Sequence, residues 1–203
     1  MMCRSIRQIA LAIMLAALSW QARAFGLDDL QAQLQSAKVV RGDFIQEKFL
    51  RSLSQPLTSR GAFTLVTGQG LLWRAQSPIA LDMRITAQGI ARREPDGTWR
   101  NLPTHNSGGR ESKLFLAVLA GDTRGLQDNF NITIAGDGQA WKLVLTPRSA
   151  LLKQVFDRIH ISGGPLVDTI NLIETQGDRS VLRMMNARAA AQLSNEERRA
   201  FAD

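Results

Sequence analysis

Apolar residues recur at spacings of three and four in one early stretch of the chain, and at a spacing of two through most of the remainder. Leu27, Leu30 and Leu34, with Asp28 and Asp29 where a helix start favours negative charge, predict a short amphipathic helix over 27–37. Beyond it the period is that of strands. Phe63 and Leu65 share a face, as do Leu81, Met83 and Ile85; Phe130, Ile132 and Ile134; and Trp141, Leu143 and Leu145. Further strands are expected over 155–161, 167–175 and 179–185. Turn residues punctuate them at Gly61, Gly68-Gln69-Gly70, Ser77-Pro78, Gln88-Gly89, Asp96-Gly97, Asp137-Gly138, Gly163-Gly164 and Gln176-Gly177-Asp178. Asp-Gly between alternating flanks is a hairpin signal, so the pattern describes an antiparallel meander.

Two stretches break the rhythm. Leu71-Leu72-Trp73 places three apolar residues in succession, so both faces of that strand must find an apolar neighbour. Residues 111–122, ESKLFLAVLAGD, are rich in helix formers and stop at Gly121, a C-cap residue. Leu114, Phe115, Leu116, Val118 and Leu119 make this helix apolar on nearly every side, so it must be buried on two sides or cover something apolar. Near the end, Ser194-Asn195-Glu196-Glu197 is a capping-box pattern, which predicts a short polar helix or tail within 186–203.

Composition changes this picture mainly at the start. Arg4 and Arg7 precede an apolar run from Ile9 to Trp20, and Ala22-Arg23-Ala24 has the small-x-small form of a cleavage site. Residues 1–24 are therefore expected to be a secretory signal, cleaved after Ala24. The run is shorter than the roughly 18 apolar residues a membrane anchor needs, and Phe25 stands where a lipoprotein would need cysteine. The expected product is soluble and periplasmic, with 25–203 as one domain. The signal takes with it Cys3, the only cysteine, so no disulfide can staple the domain. It also takes Arg4, Arg7 and Arg23, which lowers the formal charge from +7 to +4. That balance is too mild to argue for nucleic acid, and no stacking aromatics alternate with basic residues.

The catalytic inventory is poor. His105 and His160 stand far apart with no cysteine between them, and no metal site or cofactor is expected. His105 with Ser107 could form a base and nucleophile, but no Gly-x-Ser-x-Gly elbow is present, and His160 reads as an outward polar position of a strand. The glycines at 68 and 70 lack the Lys-Ser or Lys-Thr of a phosphate loop. Asp43 and Glu47 share a strand face and read as solvated rather than as an acid–base pair. No catalytic residue is assigned, and an enzyme is not expected.

Several segments, in order, resemble the LolA family of periplasmic lipoprotein carriers: VRGDFIQEKF (40–49) with Phe44 and Gln46, GAFTL (61–65), LLW (71–73), AQGI (87–90) and WKLVLTPRSALLKQVFDRIHI (141–161). The resemblance covers roughly residues 27–183. Within the family the chain most resembles the divergent LolA-like proteins found with aryl-polyene pigment pathways. It implies an α+β fold, an incomplete antiparallel β-barrel of about eleven strands closed by a lid of short helices over a hydrophobic cavity. It also implies a monomeric carrier that takes lipoprotein or another acylated, amphiphilic cargo from an inner-membrane exporter to an outer-membrane acceptor.

The cavity expected from the alternating sets comprises Phe63, Leu65, Leu72, Trp73, Leu81, Met83, Ile85, Ile132, Ile134 and Leu143, with Leu114, Phe115, Leu116 and Leu119 from the lid. The resemblance fails at one informative place. The arginine that ties the family's lid shut falls on about Thr67, and threonine cannot supply a guanidinium's several donors. The family's longer C-terminal ending is also not recognisable in 186–203. A sensor or interaction domain on the same scaffold is the alternative reading, followed by a secreted hydrolase using His105 and Ser107.

Overall fold

The computed structural model describes residues 25–103, 114 and 116–202; the expected signal, His105, Ser107 and Phe115 lie outside the described residues. Eleven antiparallel strands form one sheet: β1 (Val39–Phe49), β2 (Leu57–Val66), β3 (Gly70–Ser77), β4 (Leu81–Thr86), β5 (Ile90–Arg93), β6 (Trp99–Leu102), β7 (Phe130–Asp137), β8 (Ala140–Pro147), β9 (Phe156–Gly163), β10 (Val167–Glu174) and β11 (Arg179–Ala190). Their spatial order runs from β6 down to β1, then from β11 down to β7. The first six strands thus meander outward from β1. The last five return from the opposite edge, and β11 closes on β1 over the register Val39↔Ala190 to Phe49↔Arg179. The sheet remains open between β6 and β7.

Helices occupy its concave side. α1 (Leu27–Gln35) begins with the Gly26 N–H donating to Asp29 Oδ2 at 3.0 Å, and buries Leu30 and Leu34. A second helix, α2, is formed by residues 116–119. It ends as its sequence demands: Gly121 takes φ +63, its N–H reaches Val118 O, and the Asp122 N–H reaches Ala117 O. Two further short helices were not evident from periodicity. α3 (Thr123–Asn129) is capped by Asp122, which accepts from the Gly125 N–H at 3.0 Å, and α4 (Ala150–Lys153) is capped by Ser149. Each is only one or two turns long, too short for a repeating apolar stripe.

The chain's ending differs from expectation. Residues 186–190, expected in a polar helix or tail, instead extend β11 beside the start of β1. Asn186 adopts φ +52 and donates from its side chain to Asp43 at 2.8 Å, where the register shifts between Arg41 and Asp43. This bulge changes the phase of the strand, which hides the alternation from a sequence reading. α5 (Asn195–Ala202) comes next and crosses the convex side.

Candidate functional site

Register assigns each side chain to a face. On β2 and β3, Phe63 pairs with Trp73 and Leu65 with Leu71; on β4, Leu71 meets Ile85, Trp73 meets Met83 and Ala75 meets Leu81. These residues share the concave face. Phe44 of β1 stacks on Trp73 with ring centroids 3.7 Å apart. A glycine makes room beside them: a Cβ at Gly42 would come within 2.7 Å of the Phe63 ring. Across the sheet, Ile132 pairs with Leu145 and Ile134 with Leu143, and Leu143 and Leu145 meet Ile161 and Ile159. The concave face is therefore apolar over most of its width, with Gln46 opposite Leu182 near its middle and Arg92 and Arg100 on the same face at the β5–β6 edge.

Leu72 does not belong to that wall. It pairs with Thr64 and Arg84 on the convex face, and it is buried there beneath α5. Neighbouring strand residues cannot share a face, so assigning Trp73 to the interior excludes Leu72 and admits Leu71. The run Leu71-Leu72-Trp73 thus meets the interior with two residues and α5 with the third.

The interior is occupied by the helices. Leu30 and Leu34 of α1, Leu114, Val118 and Leu119, and Leu126 of α3 are buried in one cluster with the wall residues Phe63, Leu65, Trp73, Ile85 and Leu143. Towards the open edges the wall is only half-covered, at Leu81, Met83 and Leu102 on one side and Ile132 and Ile134 on the other. Leu116 is half-buried as well, and lines a cleft of 510 Å³ between α2, the β2–β3 turn and Thr86-Ala87 at the end of β4.

What fastens the helices is polar and sparse. Three glutamines of α1 each have a partner, Gln31 and Gln35 on one side of the helix and Gln33 on the other. Gln31 accepts from the Thr123 hydroxyl, Gln33 donates to the carbonyls of Gly138 and Gly164 at 3.1 and 2.7 Å, and Gln35 donates to Gly121 O at 3.2 Å. Thr67 donates from its hydroxyl to Ala37 O at 2.7 Å and from its N–H to Lys38 O at 3.0 Å. The position expected to lack a latch therefore holds the α1–β1 connection with two donors. It does so at shorter reach than an arginine and without a charge.

The convex side carries a separate clasp. Glu197 of α5 accepts from Arg41 Nε at 2.7 Å, Arg41 Nη2 at 2.5 Å, the Thr64 hydroxyl at 2.8 Å and the Ser194 N–H at 2.7 Å, while its own N–H donates to Ser194 Oγ. The predicted capping box forms, and its carboxylate also reaches two strands. The Arg41 guanidinium outweighs the cost of burial and, with the Ser194 and Thr64 donors, pushes the Glu197 carboxyl down to about 2. Arg84 adds a bond to Ala200 O at 2.6 Å and lies 5.0 Å from the centre of the Trp99 ring. Apart from the capping box, none of this was visible in the sequence, because the three anchoring strands lie more than a hundred residues from α5.

Little in the site invites bond chemistry. Among the described residues no three of His, Cys, Asp or Glu converge. Asp43 and Glu47 are engaged separately, with Asn186 and Arg183, and His160 faces outward between Val144 and Asn171. No helix among the described residues is long and apolar enough to cross a membrane.

A family model described as outer membrane lipoprotein carrier protein LolA matches residues 35–197. No curated protein matches the sequence. Among solved structures, MucB is similar at 12% identity over 84% of this chain and 61% of its own, with a TM-score of 0.51. The MucA/MucB complex of Pseudomonas aeruginosa is similar at 11% identity, over 84% of this chain and 58% of that one, with a TM-score of 0.49. A LolA superfamily protein from Nitrosomonas europaea is similar at 8% identity, over 82% and 93% of the two chains, with a TM-score of 0.48. The chain spans about three fifths of the MucB structures it matches. At these identities the MucB likeness speaks for the fold alone.

Proposed function

On the premise that the chain belongs to the LolA family of outer membrane lipoprotein carrier proteins, we propose that it is a periplasmic carrier for an acylated or otherwise amphiphilic cargo, whose apolar chains take the place of the helices against the concave wall. One observation carries the reading. The apolar face of an eleven-stranded sheet is covered by short helices held through a few side-chain amides and hydroxyls, where a stable core would be sealed by a second layer of sheet or long helix.

Exchange of one apolar surface for another is nearly neutral, since the wall stays out of water whether Leu30, Leu34, Val118 and Leu119 or an acyl chain lies on it. Each methylene withdrawn from water stabilises the loaded state by about 0.8 kcal/mol. Freeing the helices costs the hydrogen bonds of Gln31, Gln33, Gln35 and Thr67, about 0.5–1.5 kcal/mol each. A cargo chain of ordinary length offsets that cost, and release then needs an acceptor that buries the chain as well. In this reading Leu81, Met83, Ile132 and Ile134 are the first wall residues a chain meets, and Phe63, Leu65, Trp73, Ile85 and Leu143 come next once Leu114, Leu116 and Leu119 move aside. An inner-membrane donor and an outer-membrane acceptor would complete the route.

The test is mass spectrometry of an organic extract from the exported protein, purified without detergent, beside a boiled and refolded control. Stoichiometric acyl or polyene species are expected. An empty protein that also fails to take up an apolar fluorescent probe overturns the carrier reading. It would favour an interaction domain on the same scaffold, the fold it shares with MucB.

A further inference from the structure

Four of the large aliphatic side chains that remain exposed lie at one end of the sheet: Leu53 (46% exposed) and Leu57 (54%) at the β1–β2 connection, Ile79 (75%) in the β3–β4 turn and Leu151 (61%) on α4. Singly such residues are unremarkable; their gathering at one rim is not. The helices α1 and α2 lie at the opposite rim, beside the β2–β3 turn and the Gly138 and Gly164 turns. The aliphatic residues are thus no part of the helix-covered end.

This rim is one continuous ledge. Arg51 donates from its N–H to Asp178 at 3.0 Å and from its guanidinium to Gln176 O at 3.0 Å, joining the β1–β2 connection to the β10–β11 turn. Thr175 in that turn donates to Lys153 O at 2.8 Å and to Val155 O at 3.0 Å, joining it to α4. Charge runs along the same line. Lys48 pairs with Glu174 and Arg158 with Asp157, but Arg51, Arg60, Arg148, Lys153 and Arg179 have no ion-paired carboxylate among the described residues. Asp96, Asp128 and Asp178 are the acids of this rim without an ion-paired cation among the described residues, while Asp82 and Glu94 beside Ile79 are paired with Arg93 and with Arg92 and Arg100.

We propose that this ledge seats the protein on an anionic phospholipid surface, with Leu53, Ile79 and Leu151 entering the acyl boundary and Arg51, Arg148 and Lys153 meeting headgroup phosphates. Isolated aliphatic tips, with unpaired cations beside Leu53 and Leu151 and the ion-paired Arg92 and Arg93 beside Ile79, suit a fluid interface better than a protein partner, which would require a contiguous apolar patch of matching shape. Docking of this kind is reversible, because each cation contributes only about fivefold in affinity near such a surface and salt weakens it. The inference goes beyond the carrier reading and does not rest on it: vesicle binding and cargo binding can each fail while the other holds.

The experiment uses the exported protein, from which the expected signal cleavage removes the only native cysteine, with Ile79→Cys, Leu151→Cys or, as a control at the opposite rim, Gln69→Cys, each carrying an environment-sensitive fluorophore. With vesicles containing phosphatidylglycerol, blue shifts are expected at 79 and 151 and none at 69. Binding should fall at least tenfold with neutral phosphatidylcholine vesicles or in high salt. The variant Arg51→Glu with Lys153→Glu should lose about twenty-fivefold or more while keeping its circular dichroism spectrum. Absence of sedimentation with anionic vesicles, an equal shift at 69, or unchanged binding by the charge-reversed variant would overturn the proposal. So would a shift at 79 and 151 produced by a protein partner and not by vesicles.

Discussion

Glu197 shows how much one side chain can hold. Its carboxylate gathers Arg41, Thr64 and the Ser194 N–H around it and is almost fully buried. Replacing it by glutamine leaves the half-buried Arg41 guanidinium without its charge partner, at a cost of about 1.5 kcal/mol, read as a fall in the urea midpoint with unchanged slope. Because the folded carboxyl is held at about 2, below its ordinary 4.5, the stabilisation is complete above pH 4.5. It is lost as pH falls from there through about 2. Stability of the wild type minus that of Glu197→Gln, followed between pH 7 and 2, should shrink across that window; a constant difference would refute the assignment. At the helix-covered rim, Thr67→Val and Gln35→Ala each remove one fastening of the helices proposed as the lid. Each should raise the rate of apolar-probe uptake about fivefold, with the larger effect in the double variant. Of these residues the sequence marked Glu197 as a capping residue and Thr67 as a missing arginine. The partners that give both their roles are distant in the chain and had no local signal.

Elements divide in the same way. α1, the Gly121 stop and the strands at 57–66, 81–86 and 140–147 obey local pattern, and their positions were legible. α3, α4 and residues 186–190 of β11 were not, the first two for shortness and the last because of the Asn186 bulge. The segment around α2 carries the sharpest test. Leu116 lines the cleft against the β2–β3 turn, so Leu116→Asp places a charge at the lip of the proposed cargo space and should weaken probe binding tenfold or more without unfolding the protein. Unchanged binding by a folded variant would remove α2 from the lid. Gly121→Ala should loosen the same element, since φ +63 disfavours a side chain and its Cβ would stand 2.9 Å from Leu34 Cβ. A cost of about 1 kcal/mol or more in stability is expected from the backbone alone.

At the scale of the molecule, the pairing of β1 with β11 makes one sheet of two meanders. Trp73 reports on the first half and Trp141 on the second, and both lie in the same apolar cluster. Their fluorescence should therefore lose native character in a single urea transition, in variants that retain one or the other. Two separated midpoints would show that the halves fold as separate units.

By itself the sequence determined the antiparallel class, the positions of most strands and turns, a helix beginning at Leu27, the capping box at 194–197 and the kinship carried by ordered short motifs, through which it implied about eleven strands. All of these depend on residues within a few positions of one another, where period and turn chemistry act directly. Tertiary structure alone decided which face of each strand looks inward, so that Leu71 replaces Leu72 in the wall. It also decided what fills the interior and how the glutamines of α1 and Thr67 fasten the helices there. These outcomes depend on register and on contacts between segments far apart in the chain. A shift of one residue reverses every face of a strand, and a hydrogen bond from Gln33 to Gly164 leaves no trace in the residues around either.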